Sequence, residues 1–288
     1  MDELQLPIHL GDPVRLSTLR IADGTRAARV DGDTLVLLDY PDVKALLEAD
    51  GLEAAATATG ETVALFDADF APVIPKPDKT ICVGLNYADH IKETGRDKPE
   101  APTYFAKYAR ALIGAFDDIV LPDPSVSESV DWEAELTVVV GKTLRNAAPE
   151  EALAAVAGYT IMSDVSMRDW QFRSSQFLSG KTFEGTTPVG PWMVTADELG
   201  DGSGLAIRTE VNGVTKQESN TDQLVFNTAT ILSDLSTIMT LDVGDIVATG
   251  TPGGVGRARN PPEFLLDGDE LVTTIEGIGA CQNKIVAR

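Results

Sequence analysis

The chain has 288 residues, of which 43% are hydrophobic and 24% are charged, a globular composition that suits one large domain or two unequal ones. Its formal net charge of −22 argues against nucleic acid and anionic membranes as partners, because both require a basic face. The N-terminus lacks the basic and apolar segments of a signal peptide, and no apolar run approaches the roughly 18 residues that span a bilayer. We therefore expect a soluble, cytoplasmic protein.

Cysteine and histidine usage limits the kind of metal site that the chain can build. Cys82 and Cys281 are far apart and form no CxxC pair, which argues against a disulfide framework and against a thiolate zinc site. His9 and His90 are the only histidines. Any metal site must therefore rest on oxygen ligands, which hard cations such as Mg²⁺ prefer.

Residues 1–73 are predicted to form a small β-rich N-terminal domain. Short alternating segments separated by turns predict strands at 16–21, 27–30 and 34–38. An amphipathic pattern predicts one helix over 42–56. The proline-rich segment 71–77 is stiff and extended, so we place the domain border there and assign 74–288 to a second, larger domain.

A predicted strand at 80–84 is followed by a predicted short helix over 85–95, with Asn86 as its N-cap. His90 and Glu93 are three residues apart and therefore share one face of this helix. A carboxylate that accepts a hydrogen bond from one imidazole nitrogen makes the other nitrogen a better base, as the deprotonation of water requires. An ordinary surface His–Glu pair has the same spacing, and spacing alone favours that simpler interpretation.

The segment 131–140 predicts a buried strand, because it is rich in β-branched residues and ends at a glycine. Asp131, Glu133 and Glu135 alternate along it and so point to one face. Neighbouring carboxylates at the head of an apolar strand repel each other and resist burial, and a divalent cation is the simplest compensation. The alternative is a solvated polar face at a sheet edge.

An Ala-rich helix at 150–157 and a strand at 158–162 are predicted next, followed by a helix that starts at Asp164. On that helix Asp164, Arg168 and Gln171 would share one face, so that a carboxylate, a guanidinium and an amide meet at a strand end. A salt-bridged surface helix would show the same Asp–Arg spacing.

The C-terminal part adds a lysine, a helix and a glycine-rich loop. Lys181 stands between glycines, but their spacing does not match a phosphate-binding P-loop. A helix over 227–239 is predicted, and its expected apolar face consists of Ile231, Leu232, Leu235, Ile238 and Met239. The loop 249–256 can aim backbone N–H groups at an anion, although most glycine-rich loops only turn the chain. Neither a GxSxG nucleophile elbow nor a His-based zinc motif occurs in the sequence.

Several motifs in this order resemble the fumarylacetoacetate hydrolase superfamily, from about residue 79 to the C-terminus. They are Gly84-Leu85-Asn86-Tyr87 with His90, Trp132-Glu133-Ala134-Glu135-Leu136, Ser163-Asp164-Val165 with Arg168-Asp169, Gly180-Lys181-Thr182-Phe183, and the loop 249–256. The resemblance implies an α+β, mostly β fold: a mixed β-sandwich roll with a small extra β-rich N-terminal domain. It also implies a homodimer.

The resemblance assigns roles to nine residues. The implied Mg²⁺ or Mn²⁺ ligands are Glu133, Glu135 and Asp164. The implied catalytic residues are His90 and Glu93, on a lid helix, and Lys181. The implied substrate contacts are Arg168, Gln171 and Thr251. Two features depart from the family pattern: Ser163 replaces the commoner Asn, and Tyr108-Ala109-Arg110 is an unusual sequence that bears on substrate choice.

The implied activity is hydrolytic cleavage of a C–C bond in a small 2,4-dioxo acid of the acylpyruvate or fumarylpyruvate type, through an enolate held at the metal. An isomerase of the 2-hydroxyhepta-2,4-diene-1,7-dioate type or an oxaloacetate decarboxylase shares that intermediate, so the shared residues do not separate these activities. The presence of both His90 and Glu93 favours hydrolysis. A non-catalytic binding protein is a third interpretation, which the retained polar residues disfavour. The expected partner is a small anionic 2-oxo acid.

Overall fold

The computed structural model describes residues 14–95 and 97–287 of the chain. Predictions that concern residues 1–13, including His9 and the start of the N-terminal domain, lie outside the described residues. Within the described part, no helix is long and apolar enough to cross a membrane.

Strands dominate the described chain. They are β1 (Arg15–Ile21), β2 (Gly24–Asp31), β3 (Thr34–Leu37), β4 (Thr62–Ala64), β5 (Thr80–Gly84), β6 (Thr103–Lys107), β7 (Leu112–Ile113), β8 (Ile119–Val120), β9 (Val130–Asp131), β10 (Ala134–Val140), β11 (Val156–Ser163), β12 (Ser166–Met167), β13 (Thr187–Thr195), β14 (Ala206–Val211), β15 (Val214–Asn220), β16 (Ile246–Ala248), β17 (Glu270–Ile275) and β18 (Gly279–Val286). The helices are α1 (Val43–Glu48), α2 (Leu52–Thr57), α3 (Ala88–Glu93), α4 (Pro149–Leu153), α5 (Arg168–Gln171), α6 (Leu178–Lys181), α7 (Ala196–Leu199) and α8 (Thr228–Ile238).

Two sheets enclose the main core. The larger sheet runs in the order β4-β3-β2-β1-β13-β11-β10-β16-β5-β6, and the smaller one in the order β15-β14-β17-β18-β8. Both sheets mix antiparallel pairs with a few parallel ones, such as β16 with β5 and β18 with β8. Leu136 and Ile161 of the larger sheet share a core cluster with Ile207 and Ile275 of the smaller one. The fold is thus the mostly β, mixed sandwich that the family resemblance implies.

The N-terminal strands extend the larger sheet. β1 pairs antiparallel with β13, with Arg15 opposite Val194 and Leu16 opposite Met193. Leu16 is fully buried in a core cluster that also contains Val43 of α1. Residues 14–73 are β-rich, as expected, but they pack on the following part of the chain, and the border at residue 73 stays a prediction.

Three predicted helices differ from the structure. The helix predicted over 42–56 is split into α1 and α2, because Asp50 has a φ of 54° and Gly51 packs against the Leu46 carbonyl. The helix predicted over 150–157 ends at Leu153, since Val156 joins strand β11 opposite Val140.

The helix predicted from Asp164 is also wrong. Asp164 lies in the turn between β11 and β12, and helix α5 begins only at Arg168. The Asp164 N–H donates to the Glu133 carbonyl (2.8 Å), a contact from another strand that local spacing does not reveal. Arg168 and Gln171 still share a helix and are hydrogen-bonded, with Arg168 Nη1 at 2.9 Å from Gln171 Oε1.

Two smaller differences follow from side chains that bond to the backbone in place of regular backbone partners. The predicted strand 131–140 is interrupted at Trp132 and Glu133, because the N–H groups of Trp132 and Ala134 donate to the side chains of Asp131 and Gln217. Asn86 is not the N-cap of α3, which is Tyr87. The Asn86 side-chain amide instead forms hydrogen bonds with the backbone of Phe226 and Thr249.

Helix α8 matches its prediction at the N-terminus, where the Asn227 side chain accepts from the Thr230 N–H. Its expected apolar face is only partly buried: Ile231, Leu232 and Leu235 are in the core, whereas Ile238 is 58% exposed.

Candidate active site

Three carboxylates meet where strands β10 and β11 pair. Glu133 precedes β10, Glu135 is inside it, and the register that places Ala134 opposite Ser163 brings Asp164 beside them. All three residues are buried, and ligand oxygens of the three lie within 4.8 Å of one another. The alternation that predicted a shared face for Glu133 and Glu135 therefore holds, and Asp164 joins them from the turn that follows β11.

Three buried cations surround this carboxylate cluster. Lys181 Nζ lies 2.5 Å from Glu133 Oε2 and 2.7 Å from Asp164 Oδ2. Arg168 Nη1 lies 2.7 Å from Glu133 Oε1, and Lys107 Nζ lies 2.6 Å from Asp164 Oδ1. The cluster is thus a network of charge-assisted hydrogen bonds with little contact with water.

A close helix contact places Lys181. It is the last residue of α6, and a Cβ at the preceding Gly180 would clash with the backbone of Gln171 and Met167. Only glycine lets α6 approach α5 this closely, which brings Lys181 to the same cluster as Arg168. The glycine beside the lysine in the sequence motif thus has a packing role.

The cluster shifts the pKa values of Glu133 and Glu135 in opposite directions. Burial raises the pKa of Glu133, but Lys181 and Arg168 outweigh it and bring the pKa down to about 2. Burial, reinforced by Asp164 and Glu133, raises the pKa of Glu135 well above its ordinary value. Glu133 is therefore ionised, whereas Glu135 favours its protonated form until a positive charge arrives beside it.

The two cations with shifted pKa values stay charged. Burial alone would lower the pKa of Lys181, but Asp164 and Glu133 raise it above its ordinary value. Burial likewise opposes the charge of Arg168, while Asp131 and Glu133 raise the pKa of its guanidinium. Lys181 can thus donate hydrogen bonds and stabilise negative charge, and it cannot act as a base at neutral pH.

Asp131, which has no role in the sequence-based assignment, ties the cluster to the glycine-rich loop. Its Oδ2 accepts from Arg168 Nε (2.7 Å) and from the Arg257 N–H (2.9 Å). Its Oδ1 accepts from the Gly256 N–H (2.7 Å). Asp131 is fully buried, so it fixes both the guanidinium of Arg168 and the end of the loop.

The start of the same loop is held at two further points. The Gly250 N–H donates to Glu135 Oε2 (2.9 Å), and Gly250 has a φ of 105°, which favours glycine. Thr251 Oγ1 accepts from Gln217 Nε2 (2.8 Å), and Gln217 Oε1 accepts from the Ala134 N–H (3.0 Å). Gln217 thereby connects the predicted substrate contact Thr251 to the backbone between the two glutamates.

Helix α3 covers the site and rests on the loop. His90 Nδ1 and Glu93 Oε2 are 3.1 Å apart, which realises the predicted pair. Glu93 Oε1 accepts from the Gly254 N–H (2.9 Å), and Asp89 accepts from Ser219 Oγ (3.0 Å). With Nδ1 of His90 engaged by Glu93, Nε2 is the ring nitrogen available to a bound molecule.

These elements enclose a cavity of about 370 Å³. Eight of the nine predicted site residues line it, namely His90, Glu93, Glu133, Glu135, Arg168, Gln171, Lys181 and Thr251. The ninth, Asp164, is not among the lining residues and contacts Lys181, which is. Apolar residues, among them Phe105, Phe172 and Phe177, form other parts of the wall. The structure brings the predicted residues together, while their individual roles stay predictions.

The residues fit a divalent cation. The three carboxylates form an oxygen-only donor set of the kind that Mg²⁺ and Mn²⁺ prefer, and a divalent charge would remove the conflict that raises the pKa of Glu135. Ser163, the departure from the family pattern, has a buried hydroxyl with no hydrogen-bond partner among the described residues. Ser163 thus leaves the three carboxylates in place.

An anion also fits the cavity. Arg168 Nη2 is buried and has no hydrogen-bond partner among the described residues, although the other two guanidinium nitrogens are engaged. An unpaired buried N–H of a charged group is costly, so a ligand oxygen is its expected partner.

Sequence reasoning missed Lys107, Gln217 and Arg257, which contact the cluster, the loop and the cavity respectively. None of the three belongs to a local motif. The one available signal was weak: Lys107 is a lone lysine at the end of a largely apolar strand.

The chain is similar in sequence to a known protein family and to named relatives. The profile of the fumarylacetoacetate (FAA) hydrolase C-terminal family matches residues 79–286. The mitochondrial oxaloacetate tautomerase FAHD2A of Bos taurus is 46% identical over 219 residues, which cover 75% of this chain and 69% of the relative.

Solved structures extend the likeness to almost the whole chain. A putative HpcE protein from Mycobacterium smegmatis is 38% identical, with a TM-score of 0.86 over 95% of this chain and 99% of that one. The 2-hydroxyhepta-2,4-diene-1,7-dioate isomerase from Mycobacterium marinum is 32% identical, with a TM-score of 0.79 over 96% and 99% of the two chains. The chain therefore belongs to the fumarylacetoacetate hydrolase family.

Proposed function

We propose that this protein is an isomerase that interconverts the enol and keto forms of a small 2-oxo dicarboxylic acid of the oxaloacetate type. The observation that carries the proposal is the meeting, in one cavity, of a His–Glu pair and a buried, protonated lysine. These groups suit the removal of a proton next to a carbonyl and the stabilisation of the resulting enolate. The names of the similar tautomerase and isomerase support the same chemistry.

The relatives favour the isomerase or decarboxylase alternative over the hydrolysis expected from the sequence. The presence of both His90 and Glu93 was the reason to expect hydrolysis, but the same pair serves equally well to move a proton on carbon. Isomerisation, decarboxylation and C–C hydrolysis share an enolate intermediate, so the same residues suit all three reactions. Hydrolysis and decarboxylation therefore have to be measured beside isomerisation.

In the proposed reaction, His90 Nε2 takes a proton from C3 of the keto acid, and Glu93 stabilises the imidazolium through Nδ1. The electron pair of the broken C–H bond moves into the C2–C3 bond, and negative charge develops on the C2 oxygen. Lys181 stabilises this oxygen electrostatically. The proton held on His90 then returns to the oxygen, directly or through a water molecule, which completes the enol and regenerates neutral His90. No atom is lost or gained, as an isomerisation requires.

Binding and orientation rest on the remaining residues. Arg168, through its unpaired Nη2, and Gln171 would hold the carboxylate next to the 2-oxo group. Thr251, fixed by Gln217, would contribute a hydroxyl from the opposite loop. Held by Glu133, Glu135 and Asp164, Mg²⁺ or Mn²⁺ would supply Lewis-acid polarisation of the 2-oxo group.

The test is a spectrophotometric assay of oxaloacetate enol–keto exchange with Mg²⁺ or Mn²⁺, with pyruvate formation and acetylpyruvate cleavage measured in parallel. We expect accelerated exchange, and a loss of about 100-fold or more in His90→Asn, because a general base contributes about 10² to 10⁴ in rate. Lys92→Gln is the matched control, because Lys92 lies on the same helix, is exposed and does not line the cavity. Acetylpyruvate cleavage without faster exchange would replace the proposal with hydrolysis.

Location and assembly belong to the proposal as well. We propose that the protein is a cytoplasmic homodimer. The similar Bos taurus tautomerase is named as mitochondrial. Cell fractionation and analytical ultracentrifugation of the full chain test the two expectations.

A further inference from the structure

We infer that Arg257 binds the second carboxylate of a dicarboxylic 2-oxo acid and so selects this substrate class. The inference rests on the proposed function, because it assumes that the 2-oxo acid end lies at the carboxylate cluster. Arg257 belongs to the short 3-10 turn Gly256–Ala258 that ends the glycine-rich loop, and it lines the cavity.

The position of Arg257 is fixed at both its backbone and its side chain. Its N–H donates to buried Asp131, and its guanidinium carbon lies 4.0 Å from the centroid of the Phe172 ring. Arg257 and Phe172 are both exposed in part, so the stacked pair stands at the mouth of the cavity. A guanidinium held over an aromatic face keeps its N–H edge free for an anion.

Arg257 forms no ion pair with any of the described residues. Arg168 and Lys181, the other cations of the cavity, each contact two carboxylates of the cluster. Arg259, two positions away, donates to the Lys216 carbonyl (2.7 Å) and lies 3.7 Å from Glu263. The Arg257 guanidinium, by contrast, has no carboxylate within salt-bridge distance in the described part of the chain.

The charge balance of the buried site explains why a second carboxylate needs this residue. The buried carboxylates and cations are Asp131, Glu133, Glu135 and Asp164 on one side and Lys107, Lys181 and Arg168 on the other. With every group ionised and a divalent cation bound, one positive charge remains, enough for the first carboxylate of the substrate. A second carboxylate would be uncompensated there, and burying an unpaired charge is expensive.

The rest of the cavity wall, as far as the structure describes it, contains no other cation that could pair with a second carboxylate. Phe105, Phe172 and Phe177 give apolar surface, and Glu93 adds a negative charge on the lid side. Arg257 is thus the charged group at the mouth that matches an anionic tail. A monocarboxylic acid of the same length would leave the guanidinium in water and gain nothing from it.

The experiment measures binding without turnover, by titration calorimetry on the full chain loaded with Mn²⁺. Two matched ligand pairs differ only at the far end: 2-oxoglutarate against 2-oxopentanoate, and 2-oxoadipate against 2-oxohexanoate. We expect the wild-type protein to prefer the dicarboxylate about tenfold in at least one pair, as one partly exposed charge-assisted hydrogen bond implies. Arg257→Gln should abolish this preference and leave the monocarboxylate affinity within about twofold.

The controls separate the role of Arg257 from general charge effects. Arg173→Gln removes the same charge from a neighbouring exposed arginine that stacks on Trp170 and does not line the cavity, so it should keep the preference. Arg257→Lys should retain part of it. An unchanged preference in Arg257→Gln, or an equal loss for both ligands of a pair, overturns the inference. If the wild-type protein binds none of the four acids, the proposed 2-oxo acid site fails, and the inference fails with it.

Discussion

At the scale of single residues, Glu133 and Glu135 show how position decides the chemistry of one residue type. They are two positions apart and both buried, yet the pKa of Glu133 is lowered to about 2 and that of Glu135 is raised. Glu133 contacts Lys181 and Arg168, whereas Glu135 accepts one backbone N–H and faces two other carboxylates. The difference makes Glu135 the group whose ionisation depends most on a bound cation.

The two glutamates should therefore respond differently to the same substitution. Without divalent cations, Glu133→Gln should lower the free energy of unfolding by about 3 kcal/mol, because it removes one of the two carboxylate partners of each of two buried cations, Lys181 and Arg168. Glu135→Gln should change it by less than about 1 kcal/mol, because glutamine resembles the protonated acid. Denaturant unfolding in the presence of a chelator measures both values. Equal losses, or a larger loss in Glu135→Gln, would contradict this electrostatic description.

Local patterns identified the residues of the cluster that belong to motifs and missed those that do not. Glu133 and Glu135 were found because strand alternation is a local property. Lys107 was missed because its partner Asp164 is 57 residues away and no local pattern links them. Alternation placed Asp131 on the face of the two glutamates without a role, and its contacts with Arg168 and the loop depend on tertiary structure.

At the scale of elements, Asp131 joins strand β9, helix α5 and the glycine-rich loop. Asp131→Asn should lower the free energy of unfolding by about 2 kcal/mol, because one of its acceptor positions becomes an NH₂ donor that faces existing donors. It should also increase hydrogen exchange at Gly256 or Arg257, at whichever N–H group faces the new NH₂ and loses its acceptor. Asp118→Asn is the control, since Asp118 is exposed. Unchanged exchange at the loop would show that Asp131 does not hold it.

Helix α3 is held to the loop by Glu93, and the strength of this contact should depend on pH. Burial raises the pKa of Glu93, but hydrogen bonds from His90 and the Gly254 N–H outweigh it and lower the pKa below the ordinary value of 4.5. A carboxyl group with a lowered folded-state pKa stabilises the fold above its ordinary value and loses this contribution as the pH falls through the lowered one.

The melting temperature of Glu93→Gln should consequently lie furthest below that of the wild type at neutral pH. The gap should shrink as the pH falls below 4.5 and through the lowered pKa. The wild-type carboxyl is then protonated and, like glutamine, carries no charge. Differential scanning calorimetry of both proteins across this range measures the gap. A gap that widens on acidification would have the wrong sign for a lowered pKa.

Secondary structure was predictable where the periodic pattern of buried residues or a cap residue sets the bounds of an element. The strands at 16–21 and 80–84 and the start of α8 at Asn227 agree with the pattern within a residue. The helices predicted over 42–56 and from Asp164 failed, because a positive φ at Asp50 and a cross-strand hydrogen bond at Asp164 override the periodicity. The break at Asp50 is local, whereas the contact at Asp164 comes from a distant part of the chain, and neither leaves a periodic signal.

At the scale of the whole molecule, the N-terminal strands and the site belong to one continuous sheet. Leu16 is fully buried in the same core cluster as Met193 of β13 and Met162 of β11. Leu16→Ala should lower the free energy of unfolding by about 3 kcal/mol, through lost burial and a cavity. It should shift one cooperative transition that near-UV circular dichroism and activity report together.

The same variant tests the predicted domain border at residue 73. If residues 14–73 unfolded independently, Leu16→Ala would shift an early transition and leave the catalytic part at its wild-type midpoint. Ala56→Gly, in helix α2 away from the β1–β13 pairing, serves as a comparison on the same segment. Two separated transitions in the wild type would establish an autonomous N-terminal domain.

The pairing of β1 with β13 also has a consequence for synthesis on the ribosome. The hydrogen bond from the Val14 N–H to Thr195 Oγ1 joins residues 181 positions apart, so β1 is made long before its partner strand. During that interval the nascent chain carries a strand with an unpaired edge, which is a template for association with other chains. Contacts this distant in sequence also slow the final assembly of the sheet. Strand β1 is therefore a segment of the nascent chain that a chaperone could protect from association until β13 has been made.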